Sequence, residues 1–334
     1  MPSQINHPGL NESQVQWVVS QAARAPSVLN TQPWRFEWDG KSFAVIADLG
    51  RGLVVSDPVG RELVISCGAA LLNLRLALRH LGLYGRVQVF PDRQDPHLLA
   101  TVEVVDGPPI DPAQKLWFSA LPRRHTHRAQ FSDRPLDPAL AVRLQEAAES
   151  EGAVLEYVRD PGPTRRILDL ARTAEALRSS DPEARAEMAQ WTPEPTSPRR
   201  DGVPARAYSS GPPAAGQGDL AGRDFDLGRD FGRADPEQQP PTAIAALVTQ
   251  QDLAPDWLQA GQALEAVLLA AAAEWAFASI HSRITEVPNL RAELRRELAT
   301  AGYPQLLLRF GYAEASATTP RRPTSEVIDL TTRA

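Results

Sequence analysis

Cysteine is almost absent from this chain: Cys67 is the only one in 334 residues. That excludes an intrachain disulfide and any cysteine-based zinc site. Cys67 lies in an apolar helix pattern, VISCGAALL, and reads as a small buried residue rather than a reactive thiol. Lysine is nearly missing too, Lys41 and Lys115 being the only two. The basic charge is therefore almost all guanidinium, a planar fork that fits phosphate as an ammonium does not. The high alanine and proline content offers genome composition as the other account of that skew. The longest apolar run, around residues 263–273, is too short to span a bilayer and contains Glu265. The first ten residues carry no apolar signal core, so a cytoplasmic location is expected. No G-x-G-x-x-G follows a strand pattern and no G-x-x-x-x-G-K-[ST] occurs, so the common nucleotide fingerprints are missing. A net charge of −6 gives no pull toward nucleic acid or an anionic membrane.

What is present suits a globular α+β protein of one large or two ordinary domains, 43% hydrophobic and 23% charged. Asn11 can cap a helix over 12–24, with Val15, Val18, Val19 and Ala22 on one face. A hairpin around Asp39-Gly40 follows, then a helix over 59–80 that is apolar nearly all round and so expected to be buried on most sides. Strands are predicted near 86–90 and 98–105. The Gly107-Pro108-Pro109 segment marks a boundary between residues 1–108 and 109–334. The second part predicts helices over 112–120, 138–150 and 163–178, a strand over 154–158 and another over 243–249. Further helices are expected over 257–280 and 288–301, then strands over 305–311 and 327–330. Residues 191–241 differ in kind. They are rich in Gly, Pro and Asp and hold the small repeat GRDFDLGRDFG. A segment of that length is either functional or a disordered surface loop.

Two short segments carry chemistry. The first, ARAPSVLNTQPWRF, packs a helix stop at Pro26, a polar loop and a Pro-Trp exit into residues 23–36. The second is Arg124-His125-Thr126-His127-Arg128. On an extended backbone Arg124, Thr126 and Arg128 face one side, offering two guanidinium forks and a hydroxyl. That set suits a phosphate with an adjacent polyol, the alternative being a solvated basic turn. His125 and His127 lack an obvious third ligand, so no metal site is expected.

The first segment resembles the Pro-Ser-x-x-Asn-x-Gln-Pro-Trp loop of nitroreductase flavoproteins, and the second resembles their Arg-x-Ser-x-Arg/Lys segment. SCGAALLNLRLA, DWLQAGQA from Asp256 and LRFGY from Leu308 are similar to further family segments. The closest resemblance is to fused, Acg-type FMN-binding proteins of the nitroreductase superfamily. It implies mainly antiparallel sheets wrapped by helices, with the two halves packed as an internal pseudo-dimer and the two long helices at its centre. The Pro-Ser loop occurs only in the first half and the arginine segment only in the second, so one FMN per chain is expected. The resemblance assigns Arg124, Thr126 and Arg321 or Arg322 to the phosphate. It assigns Arg128 to the N1–C2=O edge of the flavin, and Pro26, Ser27, Val28, Asn30 and Gln32 to the wall from the other half. It names no catalytic residue. Hydride would pass from NAD(P)H through FMN to a small nitro- or quinone-like acceptor, in a monomer or weak homodimer. The alternative is an FMN-sequestering protein with little turnover, residues 191–241 serving as its lid. Where the family has a Gly-Leu helix segment, this chain has bulky Trp275 and Phe277, which either fill core or crowd the flavin.

Overall fold

Asn11 opens the first helix with a reciprocal cap. Its Oδ1 accepts from the Gln14 N–H at 2.9 Å, and Gln14 Oε1 accepts from the Asn11 N–H at 3.0 Å. The computed structural model describes residues 9–129, 131–208, 220, 222–232, 242–313 and 318–330. In it α1 spans Glu12–Ala22 and buries the four residues that the 3.6-residue period selects. The hairpin forms as β1 (Trp34–Trp38) and β2 (Ser42–Ala47). Next come α2 (Arg61–His80), β3 (Leu83–Val89) and β4 (Leu98–Asp106). α2 starts two residues later than the pattern suggests, because Gly60 turns the chain at φ 73°.

The second part begins with α3 (Pro112–Ala120), α4 (Pro138–Ser150), β5 (Val154–Tyr157), α5 (Pro161–Ser180) and α6 (Pro182–Gln190). It continues through β6 (Ala243–Thr249), α7 (Ala254–Ala273), β7 (Ala276–His281), α8 (Arg283–Glu286), α9 (Pro288–Glu297) and β8 (Tyr303–Tyr312). A short β9 (Ile328–Asp329) follows near the C-terminus. Asp-Pro pairs punctuate this half. The carboxylates of Asp111, Asp137 and Asp181 each accept from the N–H two residues on, at 2.8–2.9 Å, with proline at the first helical position. The same signal at Asp181-Pro182 marks α6, which the sequence pattern had not separated.

One expected element is corrected. The helix over 257–280 ends at Ala273. Trp275 then takes φ 58°, and residues 276–281 form β7 against β8. β7 is buried on both faces, so its run shows no alternation and reads as more of the preceding apolar helix. α9 likewise stops at Glu297 rather than 301, with Ala299 at φ 51°.

The strands form two sheets, ordered β3-β4-β2-β1-β9 and β5-β6-β8-β7. All pairings are antiparallel except β9, which returns from the far end of the chain to lie parallel to β1. Among the described residues this is the α+β arrangement expected. α2 and α7 cross at its centre. A Cβ on Gly68 would lie 2.1 Å from the Leu258 carbonyl oxygen, and one on Gly261 would lie 1.9 Å from that of Ile65. The backbones therefore touch where neither helix carries a side chain. Each helix also feeds the other's core: Ile65, Leu72 and Leu76 of α2 join the cluster around α7, while Leu258 of α7 joins the cluster under the first sheet. That sharing explains why α2 is apolar all round. α2 is also the one helix among the described residues with the length and hydropathy of a membrane span, and 89% of that stretch is buried inside the fold.

Candidate cofactor site

The loop after α1 is held in a strained shape. Leu29, Asn30 and Gln32 have φ of 48°, 55° and 52°, sparsely populated for residues with side chains. The Gln32 N–H donates to Ser27 Oγ at 2.9 Å, and the Val28 N–H donates to Ser66 Oγ of α2 at 3.3 Å. Asn30 Nδ2 donates to the carbonyls of Gly202 (2.9 Å) and Pro320 (3.1 Å), while its Oδ1 accepts from Arg321 at 3.1 Å. Gln32 Nε2 donates to the Arg200 carbonyl at 2.8 Å, and its Oε1 accepts from the Arg322 N–H at 2.8 Å. The loop thus ties down both the Gly/Pro-rich segment and the C-terminal tail.

Across from it, Thr126 bridges to Ala278 as a parallel addition to β7, and the His127 N–H donates to the Ala278 carbonyl at 2.9 Å. This extended stretch places Thr126 and Arg128 on a cavity wall with Pro26, Ser27, Val28 and Ser66. The cavity lies at the meeting of the two halves, and Tyr208, Arg223 and Phe225 of the Gly/Pro-rich segment wall it as well. The Phe225 ring lies 5.5 Å from the Arg128 guanidinium and stacks on Tyr208. Phe225 and Leu227 pack with Leu29, Leu53 and Met188, and Phe231 packs with Val203 and Tyr208. Residues 209–219, 221 and 233–241 of the segment lie outside the described residues. Trp275 and Phe277 do not line the cavity. Trp275 is 61% exposed beneath the Arg123 guanidinium, and Phe277 is buried against the His125 ring at 4.2 Å.

Three guanidinium groups converge beside this cavity. Arg124 Nη2 and Arg321 Nη2 each donate to the Arg24 carbonyl at 3.0 Å, so residues nearly 200 positions apart share one acceptor. Arg321 also donates to the Ala25 carbonyl at 3.0 Å. Arg124 is buried, and its Nη1 makes no hydrogen bond among the described residues; nor does Arg321 Nε. Among the described residues one carboxylate answers them: Glu265 of α7, fully buried, 3.4 Å from Arg124 Nε. The charges are visibly unbalanced. Burial, with Arg124 and Arg223 adding repulsion, lowers Arg128 to about 10. Burial lowers Arg321 to about 9, Arg124 and Arg128 adding to the effect and Glu265 opposing it. Burial raises Glu265 to about 7 against the pull of Arg124, Asn73 and Arg321. Grouped cations with orphaned N–H donors and one weak counter-ion suit a bound anion with several oxygens, as a phosphate has.

Of the sequence-derived site residues, the structure therefore gathers Pro26, Ser27, Val28, Thr126 and Arg128 on the cavity, with Arg124 and Arg321 beside it. Asn30 and Gln32 spend their side chains on the protein itself. Arg322 turns away: its Nη2 donates to the Glu326 carbonyl at 2.8 Å, and its backbone N–H to Gln32. Sequence reasoning missed Glu265, whose signal was its position as a lone acid in an alanine-leucine run. It also missed Arg223, which lies in the GRDFDLGRDFG repeat but carries no ligand motif, and Arg283 in the cavity wall, which no local pattern marks.

No protein-family model matches the chain. A Mycobacterium tuberculosis H37Rv protein named "Putative NAD(P)H nitroreductase" is 34% identical over 337 residues, covering 98% of this chain and 94% of that protein. Another from the same strain, named "Putative NAD(P)H nitroreductase acg", is 28% identical over 318 residues, covering 93% and 94%. Among solved structures, a nitroreductase with bound FMN from Desulfitobacterium hafniense is a loose likeness, 10% identical with a TM-score of 0.39, over 66% of this chain and 99% of that one. With the full-length match at 34% identity, this chain belongs to the nitroreductase family.

Proposed function

We propose that this protein is an FMN-dependent oxidoreductase that uses NAD(P)H to reduce a small nitro- or quinone-like acceptor. The observation that carries the reading is the surplus of guanidinium charge from Arg124, Arg128 and Arg321 beside a cavity walled by both halves. Arg124, Arg321 and Thr126 hold the phosphate, the orphaned Arg124 Nη1 and Arg321 Nε being donors that await an acceptor. Arg128 presents positive charge to the electron-rich ring edge, where a fixed cation in a water-poor setting acts strongly. Pro26, Ser27 and Val28 form the facing wall, and Phe225 shields Arg128 from water. Bound FMN supplies the hydride and electron chemistry; the protein supplies grip, orientation and charge.

The site takes its Pro-Ser loop from residues 1–108 and its arginine segment from 109–334. This supports reading the halves as a fused pseudo-dimer that assembles one site. A single FMN per chain follows. The tests are the visible spectrum of the purified protein, its extracted flavin-to-protein ratio, and bleaching by NADH or NADPH. Yellow protein with a ratio near one that NAD(P)H bleaches supports the reading. A ratio near two breaks the single-site assembly, yellow but inert protein indicates sequestration, and apoprotein that cannot take up FMN overturns the proposal.

A further inference from the structure

α7 carries a carboxylate where its sequence otherwise supplies only core. Glu265 sits at the middle of a helix whose residues from Leu258 through Ala272 are, apart from Gln259, all buried. Neither of its carboxylate oxygens has a close hydrogen-bond partner: Arg124 Nε stands 3.4 Å from one of them, and Asn73 of α2 adds only a weak stabilising contact. Arg124 in turn shares the Arg24 carbonyl with Arg321. A buried acid without close hydrogen bonds is costly and is rarely kept for stability. Its placement is informative, because it lies behind the same two guanidinium groups that the anion would engage.

We propose that Glu265 is the stand-in counter-ion of the cofactor site, neutralising the arginine pair in the apoprotein and taking up a proton when a phosphate dianion replaces it. This rests on the reading of the cavity as an FMN site and adds a residue and a proton to it. The groups that face Glu265 are few. Arg124 comes from the segment after α3 and Arg321 from the C-terminal tail, while α2 presents the uncharged Asn73. Other charges on elements packed against α7 are engaged elsewhere: Arg75 with Glu151 and Gln262, Arg123 with the Ala272 carbonyl, and Arg143 with Glu274. Bringing a dianion to Arg124 and Arg321 removes the favourable field on Glu265 and adds a repulsive one. Both changes favour its neutral form.

The sign follows by linkage. The acid is already raised to about 7 in the apoprotein, and the dianion raises it further. Binding then takes up protons above pH 7, and affinity falls as pH rises, by at most about tenfold per pH unit. The phosphate's own second ionisation, near pH 6, works in the opposite sense at lower pH. Arg321, lowered to about 9, and Arg128, lowered to about 10, begin to lose protons about one pH unit below those values, and a bound dianion opposes that loss.

The experiment is calorimetric titration of apoprotein with FMN at pH 8 in two buffers of different ionisation enthalpy, with riboflavin as the ligand lacking phosphate. Uptake approaching one proton per FMN and none with riboflavin is expected. Glu265→Gln should abolish the uptake and bind FMN about tenfold more tightly than wild type at pH 8.5, with equal affinity at pH 6. Equal proton uptake with riboflavin, no uptake in wild type, or an unchanged pH profile in Glu265→Gln would overturn the inference while leaving FMN binding intact. Failure to bind FMN at any pH sinks the cofactor reading and this inference with it. The wild-type measurement stands alone if the variant does not fold.

Discussion

Two arginine clusters line one interior, and they differ in how many carboxylates answer them. At the α2–α8 end, Arg61 pairs with Glu62 at 3.1 Å, Arg283 with Glu175 at 3.2 Å, Arg178 with Glu286 at 3.7 Å, and Arg223 bonds Glu286 and Ser282. Burial works against the charge of Arg223, yet Glu286, Glu62 and Glu175 outweigh it and its pKa rises, while burial lowers Arg61 and Arg283 in the same cluster. At the α7–tail end, Arg124, Arg128 and Arg321 have Glu265 alone, and Arg128 and Arg321 fall. The same side chain is thus used in two ways. Matched by carboxylates, it welds the Gly/Pro-rich segment and α8 to the body. Answered by Glu265 alone, it leaves the surplus positive charge on which the proposed phosphate site rests.

The comparison breaks most visibly at Glu286. Glu286→Ala strands Arg178 and Arg223 in the interior, and a loss of about 3–5 kcal/mol in unfolding free energy is expected by chemical denaturation. A loss below about 1 kcal/mol would show that this network is not structural. The cluster at the α7–tail end should respond in ligand affinity. Arg124→Ala or Arg321→Ala is expected to weaken FMN binding tenfold or more, since a charge-assisted contact contributes about 1.5–3 kcal/mol. Apoprotein stability should fall as well, because Arg124→Ala strands Glu265 and Arg321→Ala loses its bonds to Arg24, Ala25 and Asn30, so affinity is compared on variants whose fold is verified by circular dichroism. Arg322→Ala, whose side chain bonds Glu326, should change FMN affinity much less; parity with Arg321→Ala would move the phosphate to the other arginine.

A smaller effect concerns pH. Burial, with Glu286 adding repulsion, raises Glu62 to about 8. A raised acid binds its proton more tightly in the folded state, so its contribution is intact below the unfolded value and is lost as pH climbs toward 8. Glu62→Gln is therefore expected to leave the melting temperature unchanged near pH 4 and to raise it at pH 8. A gain of equal size at both values would assign the effect to packing. Smallest of all is Arg143→Ala, at an exposed pair with Glu274, where both stability and FMN affinity should stay within about 0.5 kcal/mol of wild type.

Much of this was legible before any coordinates. Element positions followed wherever caps and periodicity agreed, as at Asn11, Asp111-Pro112 and Asp137-Pro138. The Pro-Ser loop and the arginine segment stand out in the sequence through their resemblance to two nitroreductase motifs, since an arginine-rich stretch by itself also reads as a solvated basic turn. What stayed hidden was whatever depends on partners distant in sequence. β7 was lost because a strand buried on both faces has no alternation. Arg321 and Arg322 were indistinguishable in the sequence; only the Arg24 carbonyl and Glu326 separate them in space. Asn30 and Gln32 look like ligand groups in a motif, yet their partners are Gly202, Arg200 and the tail.

That tail has a consequence for how the protein is made. β9 pairs with β1, and Arg321 reaches the Arg24 carbonyl beside it, so the last stretch of chain completes a structure begun by the first. On a ribosome, the loop at 26–32 and the Arg124 segment emerge long before residue 321, while the loop's partners at Gly202, Pro320 and Arg322 are still to come. The third cation, Arg321, lies nearly 200 positions after Arg124 and emerges later than the other two. If the proposed phosphate site is right, a nascent chain that stops short of Arg321 lacks one of its three cations and should hold a dianion more weakly.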